Sequence, residues 1–150
     1  MKEIYYTYNN EAIASCVILK VLQQVKTIEF ARSYLILPIL LDDRTIAYLL
    51  NNNDQTLTLE NFITIQPRLF ASFNKRFLAL LPVCINSLLL LTKSKKIGIA
   101  KNISLKIEVQ FDNENLGDRF IKINEALPSF LQMVEKYSTV QLYQLLKVQL

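Results

Sequence analysis

The sequence predicts a mainly α-helical domain of the α+β class with one small β-hairpin, an arrangement that includes winged-helix-like folds. Two observations lead to this prediction. Apolar residues recur at three- and four-residue spacing over most of the chain, whereas a stretch after Lys93 alternates apolar and polar residues with a period of two. A length of 150 residues suits one domain, and no repeat or low-complexity linker divides it. Residues 1–150 are therefore predicted to form a single compact domain.

The N-terminal part is predicted to be helical. A first helix follows Asn9-Asn10, either of which could cap it, and its apolar stripe comprises Ala14, Val17, Ile18, Val21, Leu22 and Val25. Residues 28–41 are almost continuously apolar around Pro38, which predicts a kinked or interrupted buried helix, or an extended stretch before the proline. Asp42-Asp43 favour the start of a short helix from Arg44 to Leu50, since acidic side chains stabilise helix N-termini.

The central part is predicted to contain a long apolar helix. After a polar loop at residues 51–55, Thr58 is a suitable cap for a helix that begins at Leu59. Pro67 suits the first position of the next helix, which carries its stripe through Leu91. Pro82 removes a backbone donor inside it, so we expect the helix to bend or split there.

The C-terminal part is predicted to begin with the hairpin. Strict alternation from Ile103 to Phe111 predicts a strand, and residues 96–99 form its partner across a turn at residues 100–102. Ile4, Tyr6 and Tyr8 are the candidates for a third strand at the edge.

Two helices are predicted to complete the chain. Residues 113–117 are expected to form a turn, followed by a helix that Pro128 bends or interrupts. Its apolar stripe comprises Phe120, Ile123, Leu127, Phe130, Leu131 and Val134. Ser138 and Gln141 have the spacing of a capping box for the last helix.

The composition excludes several classes of enzyme. The chain has no His, so histidine-based triads and histidine–metal sites are excluded, and two Gly cannot supply a Walker loop or a dinucleotide-binding motif. Asp42-Asp43 is the only paired carboxylate, and adjacent helical residues do not share a face. Cys16 and Cys84 lie in apolar runs, as small buried residues do. We expect no catalytic residue, no metal and no cofactor.

Composition also bears on location and assembly. Apolar residues make up 51% and charged residues 20%, which fits either a well-filled core or a subunit with an apolar surface that a partner covers. The longest uncharged run, Phe77 to Thr92, is shorter than the ~20 residues that span a bilayer. The N-terminus has no apolar signal core. We expect a soluble, cytoplasmic protein.

The positive charge is concentrated in the centre of the sequence. Residues 61–107 contain eight bases and no acid, whereas each flank carries a net charge of −2. Such a stretch attracts a phosphate backbone or an acidic protein surface, although it also fits a solvated face that the acidic flanks balance. Arg44 could anchor a partner by bidentate pairing with a carboxylate, or pair locally. The candidate partner or DNA contacts are Arg44, Arg68, Lys75, Arg76, Lys93, Lys95, Lys96, Lys101 and Lys106.

Several segments, read in order, resemble one bacterial family. They are Tyr8 to Ala14, the leucine–proline segment and polar turn from Leu35 to Thr45, the proline-containing helix and β segment from Arg68 to Ile99, and the closing helices at 126–130 and 138–148. The sequence resembles the middle component of ABC-type three-component conflict systems, which includes the middle subunit of Lamassu-type anti-phage defence. Where those relatives usually carry histidine and lysine, this chain has Asp42-Asp43.

The resemblance implies a role in a complex. It implies a non-catalytic adaptor that joins a Rad50- or SMC-like ATPase to a nuclease-type effector and keeps the effector inactive until invading DNA is sensed. The partners would then be those two subunits, with DNA reached through the hetero-oligomer and no membrane contact. The alternative from the residues is a free-standing winged-helix DNA-binding regulator, because a Lys-rich hairpin follows a helix.

Overall fold

Helices make up most of the described residues, and a small sheet packs against three of them. The computed structural model describes residues 2–52, 57–111 and 113–149. Within these ranges the helices are α1 (Lys2–Tyr8), α2 (Glu11–Val25), α3 (Phe30–Ser33), α4 (Ile36–Leu40), α5 (Asp43–Asn51), α6 (Leu59–Ile65), α7 (Pro67–Ala71), α8 (Phe73–Lys93), α9 (Asn113–Glu135) and α10 (Thr139–Leu145). The strands are β1 (Thr27–Glu29), β2 (Ile97–Ile99) and β3 (Asn102–Leu105). The predicted α+β class, mainly helical with a hairpin, is confirmed.

The helix caps lie where the sequence predicts them. The side chain of Asn10 accepts hydrogen bonds from the first turn of α2, Thr58 does so for α6, and Ser138 forms the capping box with Gln141 at α10. Pro67 occupies the first position of α7. These local signals need no tertiary partner, which is why sequence alone identifies them.

The core lies where α2 crosses α8 and α4. The apolar stripe of α2 is buried apart from Val25, and α4 is buried over its whole length, with Pro38 inside a short interrupted helix rather than after an extended stretch. α8 continues through Pro82, so the helix divides at Ser72 instead. Pro82 and Leu78, whose carbonyl it leaves without a helical donor, both lie on the exposed side.

The sheet corrects two predictions. Its antiparallel order is β1-β3-β2, so the third strand is Thr27–Glu29, and the segment with Ile4, Tyr6 and Tyr8 is helix α1. β3 ends at Leu105 rather than Phe111, because the last rung joins the Lys106 N–H to the Lys96 carbonyl at 2.9 Å. Beyond it, Val109 and Phe111 still pack against the core without strand pairing.

Gly117 marks a kink inside α9. The sequence predicts a turn over 113–117, but the structure has helix from Asn113, broken at Gly117 with φ 82° and ψ 170°. Only glycine adopts this region readily, at a cost of about 1–3 kcal/mol for other residues. The predicted helix beyond it is confirmed, and its course continues through Pro128. The predicted loop at 51–55 is described only to Asn52, the C-cap of α5, and its remainder lies outside the described residues.

Replacing Gly117 with alanine is expected to lower the free energy of unfolding by about 1–3 kcal/mol. A Cβ at this position would meet no atom within 4 Å, so the loss arises from the backbone conformation alone. Urea unfolding of the purified protein measures it. The control is Gly98→Ala, in β2, where the added Cβ would meet only the flexible end of Lys106. Equal losses in the two variants would contradict the proposed backbone origin.

Among the residues that the structure describes, one helix is long and apolar enough to cross a membrane. α8 has 21 residues and a mean hydropathy of 1.5 in its most apolar window. Length and composition are the only criteria it meets, and the core helix of a soluble protein meets them as well. In this fold one side of α8 carries nine buried residues that pack within the domain.

Candidate functional site

Seven of the nine predicted contact residues form two groups, one at each end of α8. Lys93 ends α8, and Lys95 and the half-buried Lys96 follow it, where the hairpin brings Lys106 beside Lys96. Cations suit this end of a helix because its free carbonyls carry partial negative charge. Lys101 lies exposed in the hairpin turn. This part of the molecule, Lys93, Lys95, Lys96, Lys101 and Lys106, is called the basic hairpin end below.

Lys75 lies in the first turn of α8, at its opposite end, and Arg68 lies in the preceding helix α7. Lys75 and Lys93 are 18 positions apart in one helix, which corresponds to about 27 Å. This exceeds the Debye length of about 8 Å at physiological ionic strength, so the two ends act as separate charges. Neither Arg68 nor Lys75 forms an ion pair with a described acidic residue. Apart from Arg76, the basic residues of 61–107, which are continuous in sequence, therefore lie on two separate surfaces, one at each end of α8.

Arg76 is not at the surface. Its residue exposure is 9%, and its guanidinium donates to the carbonyls of Pro38 and Leu69 and to the hydroxyl of Ser72. It therefore ties α4 and α7 to the start of α8. Arg76 also lies 3.2 Å from the carboxylate of Asp42. Because Arg76 is buried, it is not available as a partner or DNA contact, and its role is structural.

The carboxylate of Asp42 accepts the hydrogen bonds of a small polar cluster at the start of α5. Its carboxylate accepts hydrogen bonds from the backbone N–H groups of Arg44 and Thr45, which makes it the N-cap of α5. The Arg44 guanidinium pairs with the same carboxylate at 2.9 Å, while the Arg44 side chain stays largely exposed. Burial raises the pKa of Asp42, but the hydrogen bonds from Arg44 and Thr45 and the charge of Arg76 bring it below 3.8, the ordinary value. Asp42 is therefore a stable anion, unsuited to proton transfer at neutral pH.

Arg119 joins three parts of the fold, and sequence reasoning missed it. Its guanidinium donates to the Tyr8 carbonyl and to the Asn9 side chain, both at 2.7 Å, and to the Leu41 carbonyl at 3.0 Å. It pairs with Asp43 at 3.2 Å and lies 3.7 Å from the Tyr8 ring centroid, and the Tyr8 hydroxyl donates to Asp43 at 2.8 Å. These partners lie far from Arg119 in the chain, so no local pattern could have identified the contact.

An exposed apolar stripe runs along α8 between the two basic ends. It consists of Leu78, Pro82, Ile85 and Leu89, called the outer α8 face below. Leu78, Ile85 and Leu89 are each at least 41% exposed. Beside this face, Asn86 donates to Glu11 at 3.1 Å, and Glu11 also accepts from the Tyr6 hydroxyl. This face was not predicted, because the stripe on the opposite side of α8 dominates the sequence pattern.

Of the two cysteines, Cys84 is buried and Cys16 is half-buried. Burial raises the pKa of Cys84 to about 12 and also raises that of Cys16, so both thiols stay protonated at neutral pH. No group of three or more potential metal ligands occurs among the residues that the structure describes. A cavity of about 620 Å³ has mostly aliphatic walls and includes Glu29, Arg32 and Glu135. Arg32 is committed to Thr139 and to the Tyr137 carbonyl, and no described ion pair links it to either glutamate.

Comparison with known protein families assigns the chain to one of them. The family described as ABC-three component (ABC-3C) system Middle Component 3 matches residues 2–150. The chain belongs to this family. Neither a curated protein nor a solved structure matches the sequence significantly. The predicted resemblance to a middle component is thereby confirmed, and membership in Middle Component 3 implies that other components act with this chain.

In this Middle Component 3 chain, two segments that carried the resemblance meet in space. Tyr8 and Asn9 come from the first segment, and Leu41 and Asp43 from the second, and Arg119 contacts all four. Asp43 is the second residue of the Asp42-Asp43 pair in the polar turn of the second segment. In this Middle Component 3 protein the acidic residue at position 43 provides a partner for a guanidinium.

Proposed function

We propose that the chain is a non-catalytic adaptor of a bacterial anti-phage defence complex of the Lamassu type. It bridges a Rad50- or SMC-like ABC ATPase and a nuclease-type effector and controls when the effector becomes active. The single observation that supports this most is family membership across residues 2–150, since a middle component acts with two others. We place the complex in the cytoplasm, without a membrane contact.

The non-catalytic part of the proposal is supported by the chemistry of the side chains. The chain contains no His, its two thiols are held protonated, and its most strongly bonded carboxylate, Asp42, is a fixed anion. General acid–base catalysis works best with a pKa near the operating pH, and none of these groups provides one. The side chains thus favour an interaction role.

The winged-helix alternative has less support from the geometry. A recognition helix places polar side chains of its N-terminal turns against base edges in the major groove. In α8, which precedes the hairpin, the N-terminal residues Phe73, Arg76 and Phe77 are buried, and the exposed face is apolar between Lys75 and Lys93. Duplex binding by the isolated protein, with an affinity that falls steeply with salt, would nevertheless favour the regulator over the adaptor.

Co-expression with the ATPase and the effector encoded beside the gene is expected to yield one stable complex by size-exclusion chromatography. Within that complex the nuclease should remain silent, and it should become active when DNA and ATP are added. The control is the ATPase and effector expressed without this chain, which should not co-elute. If this chain elutes as a monomer free of both, the adaptor proposal fails.

Charge reversal at Lys93, Lys95 and Lys96 is expected to weaken the contact made by the basic hairpin end, whether with DNA held by the ATPase or with an acidic subunit surface. Each lost phosphate contact lowers the salt dependence of DNA affinity by about one unit of slope. Fluorescence anisotropy of labelled duplex with the assembled complex, at several salt concentrations, measures this. The control is Lys122→Glu, an exposed position of α9. Unchanged affinity and salt slope, together with unchanged assembly, would contradict the contact.

A further inference from the structure

The outer α8 face has the spacing of a helix-packing seam. Its four residues follow one another at intervals of four, three and four. Apolar residues spaced alternately three and four positions apart lie on one side of a helix, and a neighbouring helix packs along such a side. The core of the domain uses the opposite side of α8, so the outer face is a second apolar surface on the same helix. Its geometry fits one partner helix lying lengthwise.

The charges around the outer α8 face define its occupant. Lys75 and Lys93 continue the same helical face at its two ends, about 27 Å apart, and both are exposed. The basic hairpin end adds further cations beyond Lys93. Residues 61–107 contain no acid, and Glu11 is the acidic residue bonded at the edge of the face. A complementary helix therefore carries acidic residues about 18 positions apart that flank an apolar stripe.

Two other occupants fit these observations less well. A second copy of this chain, packed through the same face, would bring Lys75 and Lys93 of one copy against those of the other, and like charges repel. A lipid acyl layer would leave the Leu78 carbonyl unbonded, because Pro82 has no N–H to donate, and an unpaired carbonyl is costly in hydrocarbon. A side-chain donor of a partner helix can satisfy that carbonyl.

We propose that the outer α8 face binds an amphipathic helix of a partner component, apolar at three- and four-residue spacing and acidic at both ends. The proposal rests on the adaptor function and names the surface through which one partner is held. Ile85 and Leu89 fill the middle of the seam, and Lys75 and Lys93 fix the direction and register of the bound helix.

The variant Ile85→Asp/Leu89→Glu, co-expressed with the ATPase and the effector, tests this surface. The affinity for one of the two components should fall by about 30-fold or more, as the loss of a buried hot spot implies, while binding of the other stays unchanged. Both positions are exposed, so the isolated variant is expected to keep the unfolding midpoint of the unaltered protein. The matched control is Ile65→Asp/Val140→Glu, which alters apolar residues on α6 and α10 that are even more exposed than Ile85 and Leu89.

The outcomes separate the two proposals. If the unaltered chain assembles with both components and Ile85→Asp/Leu89→Glu does so equally well, the docking surface is wrong and the adaptor function stands. If the unaltered chain assembles with neither, the adaptor function fails. A loss that the control variant reproduces would also overturn the surface, because it would show a general sensitivity to charge.

A photo-crosslinking residue at position 85 identifies the occupant. In the assembled complex, the crosslink should map to a partner helix with acidic residues on both sides of its apolar stripe. Lys75→Glu/Lys93→Glu should then reduce crosslinking, and exchanging the acidic residues of that helix for lysine should restore it. A crosslink between two copies of this chain, or binding of the free chain to vesicles of phosphatidylserine and phosphatidylcholine that Ile85→Asp/Leu89→Glu abolishes, would overturn the proposal.

Discussion

Replacing Asp42 with alanine is expected to lower the free energy of unfolding by about 3–5 kcal/mol, the range for breaking a buried ion pair from one side. The substitution leaves the guanidinium of Arg76 buried without its anion. It also removes the N-cap of α5, because the backbone N–H groups of Arg44 and Thr45 lose their acceptor. Urea unfolding followed by circular dichroism measures the loss.

The control and the pH dependence test the electrostatic origin. Asp118→Ala removes an exposed carboxylate with no described ion pair and should change stability by less than about 0.5 kcal/mol.

The stabilisation by Asp42 should also depend on pH. Because folding lowers the pKa of Asp42, its contribution to the free energy of unfolding is complete above pH 3.8 and is lost as the pH falls through the folded-state pKa. The stability gap between the unaltered protein and Asp42→Ala should therefore close in that acidic range. A gap that persists unchanged there would contradict the ion-pair explanation.

Replacing Arg119 with alanine is expected to cost about 2–3 kcal/mol and to release α1 from the domain. Hydrogen bonds to a charged group contribute about 1.5–3 kcal/mol in proteins, and those of Arg119 are shared among several acceptors. Tyr8 also loses the cation above its ring. Hydrogen exchange should show faster exchange in α1 with little change in α2 or α8.

Two further variants separate geometry from charge at this position. Arg119→Lys keeps the charge but cannot reproduce the fork that reaches Tyr8, Asn9 and Leu41 together, so most of the loss should remain. Arg68→Ala, at an exposed arginine without a described ion pair, should leave both stability and α1 exchange unchanged. Full recovery in Arg119→Lys would show that charge alone matters.

Sequence reasoning identified the parts of the fold that depend on neighbours in the chain. The caps at Asn10 and Ser138 and the hairpin turn arise from contacts a few residues apart. α1 and β1 could not be found in this way. α1 is held by Arg119, more than one hundred positions away, and Thr27–Glu29 becomes a strand because β3 offers it an edge.

In the candidate site, too, some features follow from the local sequence and others depend on residues that are distant in the chain. The exposure of four of the five lysines at the basic hairpin end follows from residue type, because lysine rarely tolerates burial; Lys96 is half-buried. The burial of Arg76 depends on Asp42, which lies 34 positions earlier, so its sequence neighbours gave no indication of it. The outer α8 face stayed hidden for a different reason: a helix with apolar residues on both sides gives a weak periodic signal, and only the packing decides which side is covered.

The sheet order also has a consequence for the time course of folding. Thr27 and Ile103 lie 76 positions apart in the chain, yet they meet in the pairing of β1 with β3. A two-stranded hairpin is marginally stable alone in water, and long-range pairing forms slowly because the intervening loop must close first. On the ribosome, β1 must wait until β3 has emerged. The lysines beside the hairpin therefore acquire their fixed arrangement late in synthesis, after most of the chain has been made.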